Sequence, residues 1–345
     1  MTPLSRRQFL ATSVCGLLPA STSAADSAPP LLSPPYQWSL SRPLIRPADR
    51  AADPCHAIKD PTAVFHDGKW HLFATIRSQK RTHQIEYLAF ADWQKADAAP
   101  RHVLTLTDGY FCAPQVFWFT PQKKWYLVYQ VADKDRKPQL QPAFSTTADI
   151  TDPASWSKPT LLFEKDPEGV TGWIDFWAIC DATHARLFFT SLDGRMWRAD
   201  AKLADFPHGW GKPQVVLKAD IFEASHTYKV KGADKYFTFI EAQAGDRRYF
   251  KAYLADKLDG EWKPLADTRD APFAGVANIG KEPWTVSVSH GELLRTGTDE
   301  RMEVDPENVR LVFQGVSDAD RKGKKYGDIP WQLGLLDLRP PKPGK

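Results

Sequence analysis

The chain has 345 residues, with 45 basic against 42 acidic side chains and 13 Trp, 10 Tyr and 19 Phe. The charge is nearly balanced and no basic stripe interleaves with the aromatics, which argues against a nucleic-acid partner. At roughly 150 residues per domain the length would split in two, but propellers and barrels exceed that as single domains, and most of the aromatics would fill one large β core.

The first segment reads as an address. Ser5-Arg6-Arg7-Gln8-Phe9-Leu10 fits a twin-arginine export signal, an apolar stretch covers residues 9–20, and small residues follow to Ala25. Residues 1–25 are therefore expected to be a signal peptide. The apolar stretch is too short to span a bilayer. Cys15 has no good lipobox before it, so a lipoprotein is the weaker reading. The expected product is periplasmic or secreted, off the membrane, and a monomer. Residues 26–55 are rich in Pro and Ser and read as an extended leader. Cys55, Cys112 and Cys180 show no metal-site spacing. Their odd number leaves at least one unpaired, and the sequence does not choose a disulfide pair.

From there one theme repeats: an apolar strand, a turn, then an aromatic-rich strand. The clearest copy is residues 64–75, with Asp67-Gly68 as the hairpin turn. Residues 114–130, 176–191 and 226–240 repeat it, and a weaker copy joins residues 290–295 to 309–313. The units start near Asp60, Ala113, Asp175, Glu223 and His290, with gaps of 53, 62, 48 and 67 residues. A period near fifty with about four strands per unit predicts an all-β, five-bladed propeller. A β-sandwich is the competing architecture.

Three acids stand at unit starts among apolar neighbours. They are Asp60 in Ile58-Lys59-Asp60-Pro61, Asp175 in Trp173-Ile174-Asp175-Phe176-Trp177, and Glu223 in Ile221-Phe222-Glu223-Ala224. A carboxylate costs free energy in such a setting unless it is paired or used. Inner strands of a propeller open at one face, so equivalent starts converge. The repeat turns three distant acids into one constellation suited to glycoside hydrolysis. The structural alternative for Asp175 is an ion pair with Arg195; Asp193-Gly194-Arg195 itself reads as a hairpin turn.

Six motifs in order carry a family resemblance. They are Lys59-Asp60-Pro61-Thr62, Ala113-Pro114-Gln115-Val116-Phe117, Gly172-Trp173-Ile174-Asp175-Phe176-Trp177, Asp193-Gly194-Arg195-Met196, Phe222-Glu223-Ala224-Ser225 and Ser289-His290-Gly291-Glu292-Leu293. Over residues 56–338 the chain resembles glycoside hydrolase family 62, the α-L-arabinofuranosidases, leaving 339–345 as a tail. The resemblance implies an inverting enzyme acting on arabinofuranosyl side groups of arabinoxylan or arabinan. It implies Asp60 as general base, Glu223 as general acid and Asp175 as the acid that tunes Glu223. It also implies Lys59, Phe90, Gln115 and Tyr326 as substrate-binding residues. His290 matches a histidine that approaches a metal ion, usually Ca2+, in the central channel. One histidine is a poor calcium cage, so water would supply most ligands and the ion's role would be structural or electrostatic. No organic cofactor is implied. For His290, Tyr326 and Phe90, core packing is the competing reading. The chain departs from the family at Val131, where many members carry a tryptophan that binds the polysaccharide backbone. A charged stretch, residues 132–138, follows. Other readings are a relative from another five-bladed family acting on xylosides or arabinans, a non-catalytic carbohydrate-binding propeller, and a structural periplasmic propeller.

Overall fold

A computed structural model describes residues 28–339. The export signal expected at residues 1–25, and residues 340–345 of the tail, lie outside the described residues. The predicted five-bladed propeller is what the chain forms: five antiparallel sheets, each running outward from an inner strand. The inner strands are Cys55–His66, Phe111–Phe119, Ile174–Cys180, His226–Val230 and Ser289–Leu293, in blades one to five. Blade four gains Glu303–Val304, which pairs parallel to its inner strand.

Blade five is completed from the other end of the chain. Its strands Ser289–Leu293, Arg310–Gly315 and Gln332–Leu338 are joined by Trp38–Leu40, with Trp38 opposite Leu338 and Leu40 opposite Leu336. Part of the stretch expected as an extended leader is thus an integral strand. Burial explains this. Trp38 is buried, its indole N–H donates to the Phe273 carbonyl at 2.6 Å, and its ring meets Phe273 edge-on at 5.2 Å.

The inner strands share a local defect that aims side chains at the axis. The ladder breaks between Lys59 and Thr62, between Cys112 and Gln115, and between Ile174 and Trp177. Asp60, Ala113 and Asp175 hold positive φ there, at 49°, 52° and 57°, and Ala224, in the turn just before the fourth inner strand, does so at 53°. The three breaks are bulges, which re-aim a side chain at a functional rim. The left-handed backbone costs about 1–2 kcal/mol for an ordinary L-residue, and aspartate tolerates it through its short polar side chain. Pro61 and Pro114 follow two of these residues, where a proline's missing N–H does no harm to a broken ladder.

Aromatic side chains fill the seams between blades. Trp177 of blade three stacks on His226 of blade four at 4.2 Å, and within blade four Phe239 meets Phe250 edge-on at 4.7 Å. Below the acids, Glu292 and Arg295 form a buried ion pair at 2.8 Å. Arg295 also donates to the carbonyl of Val116 at 2.7 Å and of Ala63 at 3.4 Å. One guanidinium thereby ties blades one, two and five. Cys55, Cys112 and Cys180 are all free thiols. No helix among the described residues is long and apolar enough to cross a membrane.

Candidate active site

The bulges bring Asp60 and Asp175, and the turn before the fourth inner strand brings Glu223, to one mouth of the propeller, all three buried at 3 %, 4 % and 7 % exposure. His290, at the start of the fifth inner strand, joins the first two: its Nδ1 lies 3.4 Å from Asp60 and 3.8 Å from Asp175. Asp175 reaches toward the third acid through the backbone, accepting the Ala224 amide at 3.1 Å. Its own amide donates to Gln130 Oε1 at 3.3 Å. Asp60 lies 3.3 Å from Lys59 Nζ, and its amide donates to Gln314 Oε1 at 2.8 Å. His226 supports His290 from the side, ring against ring at 5.2 Å, and keeps its own Nδ1 on the Gly291 carbonyl at 2.6 Å.

The three carboxyls are driven apart in protonation. Burial works against ionising Asp60, but Lys59, His290, a hydrogen bond from Thr75 and His83 together hold its pKa below the usual carboxylate value. Burial pushes Glu223 well above its usual value, helped by Glu241 and Asp175 and opposed by Arg248 and Lys59. Burial also raises Asp175 to about 6, with His290 pulling the other way and Asp60 adding to the rise. Lys59 keeps its proton despite burial, because Asp60, Tyr326 and Glu223 favour the cation. A carboxylate held ionised beside an acid held protonated is the arrangement acid–base chemistry needs.

Two residues that sequence reasoning missed complete the site. Arg248 sits 3.5 Å from Glu223 and 2.7 Å from Glu241. Fully buried Glu241 also accepts the Ser289 hydroxyl at 2.9 Å and the His290 amide at 2.7 Å. The signal for Glu241 was present: it lies in Phe239-Ile240-Glu241-Ala242, an acid within an apolar strand like the other three. Arg248 opens the next strand as Arg247-Arg248 and reads from sequence as a solvated strand end.

Tyr326 joins the site. It is 47 % exposed, with Lys59 Nζ 5.4 Å and Arg248 Cζ 5.7 Å from its ring centre. Core packing, the competing reading for this tyrosine, does not describe it. Gln115 and Phe90 do not join. Gln115 spends its amide on the seam between blades two and three, giving and taking hydrogen bonds with the Ala178 backbone at 2.7 Å each. Phe90 pairs opposite Trp70 and packs on Trp93 at 4.9 Å. It lies five residues along the sheet from the Lys59–Thr75–Ile85 row, about 16 Å at strand rise. Arg195 pairs with Asp193, not Asp175. Among the described residues no three His, Cys, Asp or Glu side chains gather to hold a metal ion. His290 turns Nδ1 to two carboxylates. These side chains do not build a calcium cage of six to eight oxygens.

Fold and site together define a propeller of the glycoside-hydrolase type. The sequence matches glycosyl hydrolase family 62 over residues 37–337, and the chain belongs to that family. It is 37 % identical over 319 residues to alpha-L-arabinofuranosidase C of Cellvibrio japonicus (strain Ueda107), covering 89 % of this chain and 48 % of that protein. It therefore spans about half the length of that relative. The catalytic domain of the Coprinopsis cinerea GH62 alpha-L-arabinofuranosidase superposes with a TM-score of 0.82 at 35 % identity, over 89 % of this chain and 98 % of that one. A GH62 hydrolase in complex with xylotriose superposes with a TM-score of 0.80 at 34 % identity, over 87 % and 97 %.

Proposed function

We propose that the protein is an inverting α-L-arabinofuranosidase that removes arabinofuranosyl side groups from a xylan backbone. The observation that carries this reading is the convergence of buried Asp60, Asp175 and Glu223 at one mouth, with surroundings that lower the pKa of Asp60 and raise that of Glu223. Asp60, kept ionised, would draw the proton from a water that attacks the anomeric carbon. Glu223, kept protonated, would give its proton to the leaving oxygen of the backbone sugar. Inversion requires the two carboxyls about 6.5–9.5 Å apart with water between them. In this site they are not hydrogen-bonding partners; the contacts joining them run through His290, Asp175 and the Ala224 amide. Asp175 acts as the tuner, because its negative charge disfavours ionisation of Glu223.

The leaving backbone would lie along the groove beside Tyr110 and Val131. This groove of about 700 Å³ is walled by Asp108, Asp133, Lys134 and Lys158. Polar side chains would there do the work of the missing aromatic. The relative crystallised with xylotriose supports xylan as the backbone. We also propose export by the twin-arginine route to the periplasm or beyond, and action as a monomer.

The test is proton NMR of the sugar first released from wheat arabinoxylan and, in parallel, from branched arabinan. Free arabinose appearing first as the β-anomer, faster from arabinoxylan, is the expected outcome. Release of the α-anomer would refute inversion. Tight binding without release would make the protein a carbohydrate-binding propeller.

A further inference from the structure

Residues 316–331 cross the mouth from blade four to blade one, and Tyr326 sits at the middle of that crossing. At the blade-four end, Arg321 pairs with Asp246, and Arg247 lies 3.8 Å from Asp318. At the far end, Ile329 and Trp331 are buried against Ala57 and Val316, and the Trp331 carbonyl accepts the Ile58 amide at 3.1 Å. Between these anchors the fixed point is one carbonyl. The Gly327 oxygen accepts the Arg77 guanidinium and His56 Nε2, the latter at 3.1 Å. Both donors stand on blade one, and together they use both lone pairs of that oxygen. The approach is close: a Cβ on residue 327 would lie 2.5 Å from Arg77 Nη1 and would push the guanidinium off the carbonyl.

Tyr326 precedes this carbonyl directly. Its ring meets one cation from each side of the mouth, Lys59 of blade one and Arg248 of blade four. We propose that Arg77 is a positioning residue for substrate: by holding the Gly327 carbonyl it fixes Tyr326 across the gap between the Asp60 and Glu223 sides and so sets the width of the sugar pocket. Arg77 touches neither acid and takes no part in proton transfer. This inference rests on the arabinofuranosidase reading, since it assigns the pocket a furanose.

The test is the kinetics of Arg77→Ala and Gly327→Ala on an aryl α-L-arabinofuranoside, with calorimetric binding of an arabinoxylo-oligosaccharide as a second readout. Losing one charge-assisted hydrogen bond should raise KM and the dissociation constant about tenfold. kcat should stay within about twofold and the melting temperature should be unchanged. In a Tyr326→Ala background, Arg77→Ala should have no further effect, because both changes act through one ring. If Arg77→Ala does not fold, Gly327→Ala carries the same expectation, since its Cβ displaces the guanidinium. The proposal is overturned if KM and affinity are unchanged, or if the Arg77 effect is the same with and without Tyr326. A wild-type protein that binds the oligosaccharide but releases no arabinose would sink the activity reading instead, and the Arg77 effect on affinity would still decide this one.

Discussion

The Arg248 guanidinium stands 3.5 Å from Glu223, a looser contact than its 2.7 Å hold on Glu241. Glu241 thus keeps the cation from neutralising the acid, and its own charge raises Glu223 further. Glu241→Gln removes that charge and frees Arg248 to favour ionised Glu223. The alkaline limb of kcat/KM should move down by about one pH unit, the size of shift one nearby charge produces. A pH–rate profile checks this; an unmoved limb would separate Glu241 from the acid.

Asp60→Ala and Glu223→Ala should each lower turnover on polysaccharide by roughly 10²–10⁴-fold, the usual reach of positioned acid–base groups. On an activated aryl arabinofuranoside the Glu223 variant should lose less, because that leaving group needs little help from an acid. Circular dichroism shows whether each variant is folded. Near-normal polysaccharide activity in a folded variant would refute the role assigned to that residue.

Burial and like charges also set a stability cost with a definite sign. Glu223 folded has a pKa well above its ordinary 4.5, and Asp175 is raised from 3.8 to about 6. Between the unfolded and folded values the native state holds protons that the unfolded chain has released, so stability falls as pH rises through that window. Glu223→Gln removes its share of the loss. The variant should melt higher than wild type at pH 7, with the gap closing near pH 4, as thermal denaturation at both pH values would show. A gap that widened toward acid pH would contradict the raised pKa.

Arg295→Ala would leave Glu292 buried without its cation and the Val116 carbonyl without its donor. Breaking a buried pair by removing one partner costs about 3–5 kcal/mol. Chemical denaturation should show a loss of that size. A loss below about 1 kcal/mol would mean that water replaces the guanidinium in the channel.

How much of this was legible in the sequence depends on how local each signal was. The hairpin at Asp67-Gly68 and the recurring strand pairs are short-range patterns, and they gave the blades. The acids were legible because a charge among apolar neighbours stands out. Phe90 was misplaced because resemblance supplies a residue type but not its height along a sheet, and this ring lies at the wrong end of blade one. Gln115 sits in the right motif, yet its amide is consumed by Ala178. Arg248 was missed because its partners come from other strands. The strand at Trp38–Leu40 was hidden because three residues carry no period, and their mate lies almost three hundred positions away.

That strand has a consequence for the chemistry. Blade five stands in the ring between blade one, which carries Asp60, and blade four, which carries Glu223. Its outer edge is made by Trp38–Leu40 clasping Gln332–Leu338. The joint between distant parts of the chain therefore closes the blade that stands between those two carboxyls. Loosening this clasp, far from any sugar, would loosen the blade that holds His290 against Asp60 and Asp175. Catalytic competence should then fade before the other four blades come undone.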